Sequence, residues 1–177
     1  MKILIKTSAF ILFLLTVVIL VSFFLPKEKT TVNQITIDKP FFLVWAAITN
    51  HYEEPMWRTD LDTVIQLEER DTDPVWREFF NSGDSITWQI TTEVSNKLLV
   101  RQIVDDLKYE GTMWAVNIMS GKDGTILRIV EEQHVNKPLC RYKYITTPHD
   151  LDVKLYLTNL INKFSQEEQE DENAYGW

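Results

Sequence analysis

Nineteen consecutive residues near the start of the chain, from Thr7 to Leu25, carry no charged side chain. At a rise of about 1.5 Å per residue they would form about 28 Å of helix, which is enough to cross the hydrocarbon core of a bilayer. The segment is apolar on every side and not along one stripe only, which argues against a helix of a soluble core. The sequence therefore predicts a membrane anchor over residues 1–26, followed by one folded domain over residues 27–164.

A cleaved secretory signal is the alternative, because Lys2 and Lys6 form a basic start directly before the apolar run. That run is longer than the roughly 7 to 15 residues of a signal's apolar region, and its end lacks the small-x-small cleavage pattern. Lys2 and Lys6 slightly outweigh Lys27 and Lys29 after the segment, where Glu28 offsets them. We therefore expect a single-pass membrane protein whose domain lies on the extracytoplasmic side.

The chain is acidic, with 26 Asp and Glu residues against 18 Lys and Arg and a net charge of −8. Because such a surface repels phosphates, we expect no nucleic-acid partner, and contact with the membrane through the N-terminal helix alone. Cys140 is the only cysteine, which excludes an internal disulfide and a cysteine-based metal site. The histidines and glycines match no zinc or phosphate-binding motif, so we predict no metal, no cofactor and no assigned catalytic residue.

From residue 62 onward the hydrophobic pattern has a period of two, which is typical of strands. Six such runs are separated by turn sequences: 62–69, 74–80, 84–94, 97–105, 112–119 and 125–134. A strand and two short helices are predicted before them, at about 31–37, 41–50 and 52–58. A further extended run is expected from 138 to 144.

A closing helix is predicted from about His149 to Phe164, because its apolar residues form one stripe. Residues 165–177 open with five acidic groups and no basic one before Asn173, which predicts an acidic disordered tail. These elements define an α+β domain in which a curved antiparallel sheet wraps one long C-terminal helix.

Several short motifs follow one another in a recognisable order. Ile35-Thr-Ile-Asp-Lys-Pro-Phe-Phe-Leu-Val-Trp45 joins a strand to a helix, Pro55-Met-Trp57 forms a turn, and Gly111-Thr-Met-Trp114 and Val135-Asn-Lys-Pro-Leu-Cys-Arg141 lie further on. In this order the chain resembles the SRPBCC superfamily, the START-like and polyketide cyclase/dehydrase-like domains with the helix-grip fold. The resemblance implies a pocket between the sheet and the last helix that holds a hydrophobic or amphipathic small molecule. It does not imply catalysis, because such folds host several functions.

Strand alternation assigns alternate residues of three runs to the inward face: Ile86, Trp88 and Ile90, then Thr112, Trp114, Val116 and Ile118, then Thr125, Leu127, Ile129 and Glu131. With the closing helix, this gives a predicted cavity lining of Trp57, Trp88, Arg101, Trp114, Val116, Leu127, Ile129, Glu131, Tyr144, Val153, Tyr156 and Leu157.

Glu131 is notable in that lining because an unpaired carboxylate on an apolar face would cost several kcal/mol or become protonated. We expect a partner for it among Arg101, Arg141, Tyr142 and Tyr144. Three roles stay open for this carboxyl group: a structural pair, a polar group that orients a ligand, or a general acid or base.

Three functions are therefore weighed. The first is a membrane-anchored domain that binds a lipid-like small molecule without catalysis. The second is a cyclase or dehydratase that uses a pocket carboxylate, and the third is a tethered structural or interaction module with a solid core.

Overall fold

The computed structural model describes residues 2–106, 109–135, 137–142 and 151–175, with only the backbone described for residues 2–9, 151 and 170–175. In this part of the chain the helices are α1 (Lys2–Phe24), α2 (Phe41–Thr49), α3 (Glu54–Trp57) and α4 (Leu151–Tyr175), with a 3-10 turn at His51–Glu53. The strands are β1 (Glu28–Ile37), β2 (Leu61–Arg70), β3 (Asp73–Phe80), β4 (Ser85–Val94), β5 (Leu98–Val104), β6 (Met113–Gly121) and β7 (Gly124–His134).

The seven strands form one antiparallel sheet in the order β1-β7-β6-β5-β4-β3-β2. Consecutive strands from β2 to β7 are neighbours, which confirms the meander predicted from the period of two. The first strand closes the sheet by pairing with the last, so that Glu28 lies opposite His134 and Ile37 opposite Thr125. The predicted α+β helix-grip architecture is confirmed for the domain.

The core lies between one face of the sheet and α4, with α2 covering one end. The predicted inward residues of β6 and β7 are buried, as are Trp88 and Ile90 of β4. The helix α4 contributes its apolar stripe to the same core through Val153, Tyr156, Leu157, Leu160 and Phe164. A sheet of period-two strands and a helix of period 3.6 each have one apolar side, and here they cover each other.

The helix α1 contains the uncharged apolar stretch from Thr7 as far as Phe24. Its described side chains from Phe10 to Phe24 are all exposed except Ser22, which is fully buried. Within the part of the chain whose side chains are described, no helix combines the length and apolarity needed to span a membrane.

Two predicted segments differ from the structure. The run expected to be extended from 138 to 144 is wrong over its described part, because a turn leads into helical backbone at residues 140–142. Residues 143–150 lie outside the described residues. The closing helix does not stop at Phe164 as predicted but continues to Tyr175, through the segment expected to be a disordered tail. Ion pairs of Lys163 with Glu167 and of Lys39 with Glu168 support this extension.

Candidate functional site

A row of directly opposed residues crosses the inner face of the sheet. Thr31 of β1 lies opposite Glu131 of β7, which lies opposite Trp114 of β6. The row continues from Trp114 to Arg101 of β5 and then to Ile90 of β4. Opposed residues of an antiparallel sheet point to the same side, so two charged groups are held on the face that α4 covers.

Arg101 lies at the centre of an aromatic cluster. Its guanidinium carbon is 4.4 Å from the ring centroid of Trp88, 4.5 Å from that of Trp114 and 5.5 Å from that of Tyr156. Trp57 completes the cluster, with its ring centroid 5.3 Å from that of Tyr156. Because cations are attracted to the faces of aromatic rings, these contacts compensate in part for the loss of hydration at a guanidinium that is only 3% exposed.

A buried charge network joins Arg101 to the elements at the other side of the core. Arg101 Nη1 donates to Glu78 Oε1 at 3.0 Å, and Arg58 Nη1 lies 3.1 Å from Glu78 Oε2. Arg58 Nη1 also donates to Glu54 Oε2 at 2.7 Å, while His51 Nδ1 lies 2.7 Å from Glu54 Oε1. Two carboxylates thus meet two guanidiniums, and each charge has a partner, which is the condition for charges to persist in a core.

The network shifts the pKa of Glu54. Complete burial would raise that pKa, but the hydrogen bond with His51 and the charges of Arg101 and Arg58 outweigh it and lower the pKa to about 2. Burial likewise would lower the pKa of Arg58, but the charges of Glu78 and Glu54 raise it above its usual value. Glu54 is therefore ionised at neutral pH inside the domain.

Glu131 is buried as predicted, and its hydrogen bonds among the described residues come from side chains that were not expected. Tyr144, one of the four expected partners, lies outside those residues. Trp114 Nε1 donates to its Oε1 at 2.9 Å, and Thr31 Oγ1 donates to its Oε2 at 3.2 Å. Arg101 instead pairs with Glu78. Burial raises the pKa of Glu131 above its usual value, against hydrogen bonds from Gln133, Trp114 and Thr31 that lower it. Both oxygens of this carboxyl group are occupied, and it fixes the indole of Trp114.

Three donors in the aromatic cluster have no acceptor among the described residues: Trp57 Nε1, Trp88 Nε1 and Arg101 Nε. All three side chains are at least nine-tenths buried. A buried donor without an acceptor costs about 1 to 3 kcal/mol, and most such groups in proteins are paired. These N–H groups are therefore free to donate hydrogen bonds to an oxygen atom of a bound molecule.

The residues predicted to line a cavity lie close together, apart from Tyr144. All of them except Tyr144 are buried around the aromatic cluster and α4, and Tyr144 lies outside the described residues. Their role in contacting a ligand stays a prediction. The rings of Trp88, Trp114, Trp57 and Tyr156 pack at centroid distances of 5.3 to 5.7 Å, so they fill the space between the sheet and α4.

Two depressions in the described part of the chain lie elsewhere, at the surface. One of about 120 Å³ lies between the end of β1 and α4, and one of about 560 Å³ lies between α2 and α4. Neither is lined by any of the predicted cavity residues. The larger one is bordered by Leu43, Ala46, Ala47, Thr49, Asn50, Glu53, Lys163, Phe164 and Glu167.

Sequence reasoning missed the charge network. Glu54 and Arg58 are four residues apart in one short helical segment, a spacing that brings side chains together. Glu78 lies two residues after Trp76 on β3 and so shares its face, and it lies opposite Ile86 of β4. This placement indicates an inward carboxylate. These two signals could have predicted the partners of Arg101. No group of three or more His, Cys, Asp or Glu side chains suited to a metal ion occurs within the described ranges.

Comparison with known proteins adds the fold relationship. No protein-family model matches the sequence, and no curated protein matches it significantly. Among solved structures, the aromatase/cyclase Zhui of a Streptomyces strain superposes with a TM-score of 0.64 at 12% identity, covering 77% of this chain and 93% of that one.

Two further structures have the same architecture. A START superfamily protein from Mycobacterium smegmatis gives a TM-score of 0.60 at 12% identity, with 77% of this chain and 97% of that chain covered. Norcoclaurine synthase from Thalictrum flavum, in complex with dopamine and hydroxybenzaldehyde, gives 0.61 at 11% identity, with 78% and 87% covered. At these identities the likeness establishes the fold alone: the chain has the same START-like, helix-grip architecture as these proteins.

Proposed function

We propose that this protein is a membrane-anchored START-like domain that binds a small amphipathic molecule between its sheet and α4, without catalysing a reaction. The observation that carries this proposal is the set of three buried N–H donors, on Trp57, Trp88 and Arg101, for which the described part of the chain supplies no acceptor. Aromatic faces suit an apolar body, and these donors suit one or two oxygen atoms at its polar end.

Binding requires the aromatic cluster to open. Trp57 lies on α3 and Tyr156 on α4, whereas Trp88 and Trp114 lie on the sheet. A ligand that enters between Trp57 and Tyr156 on one side and Trp88 on the other would exchange ring contacts for contacts with its own apolar part. The polar end would then reach the Nε of Arg101.

The anchor supports a lipid-like ligand. The uncharged stretch from Thr7 to Leu25 and the exposed apolar side chains of α1 suit a hydrocarbon environment. Tethering keeps the domain at high local concentration relative to any molecule dissolved in the same bilayer. The slight excess of positive charge before the span favours the extracytoplasmic side for the domain.

Glu131 has a structural role in this proposal. Its two oxygens accept hydrogen bonds from Trp114 and Thr31, and these bonds hold the indole that packs on Arg101. The proposal therefore assigns it to positioning Trp114 and not to proton transfer.

The test uses the full chain, extracted from membranes in mild detergent and analysed by native mass spectrometry and by mass spectrometry of an organic extract. We expect one small molecule per chain. Trp88→Phe keeps an aromatic ring but removes the N–H donor together with part of the indole surface, and we expect occupancy to fall at least about tenfold, the equivalent of one hydrogen bond of about 1.4 kcal/mol. The loss of ring surface is common to this variant and its control. Trp45→Phe makes the same change on α2, outside the donor cluster, and should leave occupancy unchanged.

A second candidate is a tethered module with a solid core, which the close packing of the four rings favours. It predicts that the extracted chain carries no small molecule and takes none up from a total lipid extract. That result would replace the first candidate with the second.

A further inference from the structure

The C-terminal part of the anchor helix contacts the domain. Ser22 is the single buried side chain among the described residues from Phe10 to Phe24. Its carbonyl oxygen accepts a hydrogen bond from Arg141 Nη1 at 3.3 Å. Arg141 is only 3% exposed, and its Nε donates to the carbonyl of Val135 at 3.1 Å. One guanidinium therefore links the last turn of α1 to the residue that follows β7.

The chemistry of a helix end explains this link. The last four carbonyl groups of an α-helix have no partner within the helix, and the carbonyl of Ser22 is one of them in a helix that ends at Phe24. A positive charge near that end also interacts favourably with the helix dipole. Val135 strengthens the same junction, because its N–H donates to the carbonyl of Lys27 at 2.9 Å.

The residues around Arg141 lie alongside the anchor. The hydroxyl of Tyr142 donates to the carbonyl of Val18 at 2.5 Å. Val18 is seven residues before Leu25, so this contact lies about 10 Å inside the apolar segment along the helix axis. Tyrosine is enriched at membrane–water interfaces, where its apolar ring and its polar hydroxyl are both accommodated. Leu139, two residues before Arg141, is a large apolar side chain that is 57% exposed.

We propose that residues 139–142 form a second contact with the bilayer, at the interface beside the anchor, and that Arg141 fixes them there. This inference rests on the proposed membrane anchor. It implies one orientation of the domain: the end of the sheet with His134 faces the lipid, and the β6–β7 turn at residues 121–124 faces away. Thr112 belongs to the lipid-facing end, because the His134 N–H donates to its Oγ1 at 3.1 Å.

The only cysteine provides the reporter for a test. A fluorophore on Cys140 of the full chain is measured in phosphatidylcholine nanodiscs with and without lipids that carry a quencher just below the headgroup. The matched reporter is Asp123→Cys with Cys140→Ser, at the opposite end of a strand about 30 Å long. We expect the Cys140 reporter to be quenched at least about fivefold more than the residue-123 reporter, because quenching needs near contact and that strand separates them.

Variants of the link test its cause. Arg141→Gln should lower the quenching at Cys140 toward the value at residue 123, and Tyr142→Phe, which removes one hydroxyl, should lower it in part. Arg128→Gln changes an exposed arginine of β7 and should have no effect. Circular dichroism establishes whether each variant is folded. If Arg141→Gln does not fold, the quenching of Tyr142→Phe tests the role of the link.

Two results would overturn the inference. If the chain inserts in nanodiscs but both reporters are equally unquenched, the second contact is wrong and the anchor stands. If the chain does not associate with nanodiscs at all, the anchor is wrong and the second contact falls with it. Unchanged quenching in folded Arg141→Gln and Tyr142→Phe would remove the role of the link.

Discussion

Arg101 shows how this core keeps a positive charge in the position where the sheet and α4 meet. Trp88 and Trp114 cover its guanidinium on two sides, and Glu78 accepts its Nη1 hydrogen bond. The alternation of β5 predicts from sequence alone that Arg101 points inward, and the structure confirms it. Its carboxylate partner was not predicted, because Glu78 is 23 residues away and the pairing depends on how β3, β4 and β5 stack.

The neighbouring Glu54 gives a prediction on acid stability. Its pKa is about 2 in the folded protein against a usual value of 4.5. A lowered folded pKa adds stability above about pH 4.5, and this contribution is lost as the pH falls toward 2. The shift corresponds to about 3 kcal/mol. We therefore expect Glu54→Gln to lower the free energy of unfolding at pH 7 by about 3 kcal/mol, since it also leaves Arg58 short of a charge partner.

The measurement is urea unfolding at pH 7 and at several values between pH 5 and pH 2. Glu53→Gln changes the exposed neighbouring carboxylate and is the matched control, with an expected change below about 0.5 kcal/mol. Two results would contradict this account of the network. One is an equal free energy of unfolding for the two variants at pH 7. The other is a loss of stability between pH 5 and pH 2 that is as large in Glu54→Gln as in the unchanged protein.

At the scale of elements, the period-two pattern was sufficient to predict β2 to β7, because an inward and an outward side chain alternate along each strand. The pattern failed where local chemistry and packing decide. Residues 138–142 combine proline with apolar and aromatic residues, which suits a strand, yet residues 140–142 are helical and place Arg141 against α1. The acidic end of α4 is helical, and ion pairs of Glu168 with Lys39 and of Glu167 with Lys163 offset part of its charge.

The turn between β6 and β7 gives a prediction on backbone geometry. Gly124 has φ +118°, and a Cβ there would lie 2.3 Å from the carbonyl oxygen of Ile37. Gly83, in the turn between β3 and β4, has φ +87° with open space around it. We expect Gly83→Ala to cost about 1 kcal/mol for the backbone alone and Gly124→Ala about 3 kcal/mol, because β1 must move away. Denaturant unfolding measures both, and equal costs would contradict the close approach of β1 to this turn.

The docking of α4 gives a second prediction at this scale. Leu160 is fully buried against the sheet, whereas Leu155 on the same helix is 41% exposed. We expect Leu160→Ala to lower the free energy of unfolding by about 3 kcal/mol and Leu155→Ala by less than about 1 kcal/mol. Thermal and urea unfolding of the pair supply the comparison. A similar small loss in both would mean that α4 does not close the core.

At the scale of the whole molecule, the fold class and the inward face were predictable because both follow from periodicity. The interior itself was not. An apolar hollow was expected from the resemblance, whereas four aromatic rings and a charge network occupy the space between the sheet and α4. Composition could not predict this, because whether tryptophan rings line a space or fill it depends on distances across the fold. The claim that the site takes a ligand therefore depends on the donors within that packing.

The indole N–H signals of the six tryptophans test this claim most directly. Nitrogen-15 NMR of the full chain would compare protein as purified from membranes with protein stripped of bound molecules by unfolding and refolding. We predict that the signals of Trp57 and Trp88, whose donors find no acceptor within the described ranges, shift between the two samples. The signal of Trp114 should move less, because its indole N–H already donates a hydrogen bond to Glu131. Identical signals for Trp57 and Trp88 in both samples, or a shift confined to Trp114, would contradict binding at this site.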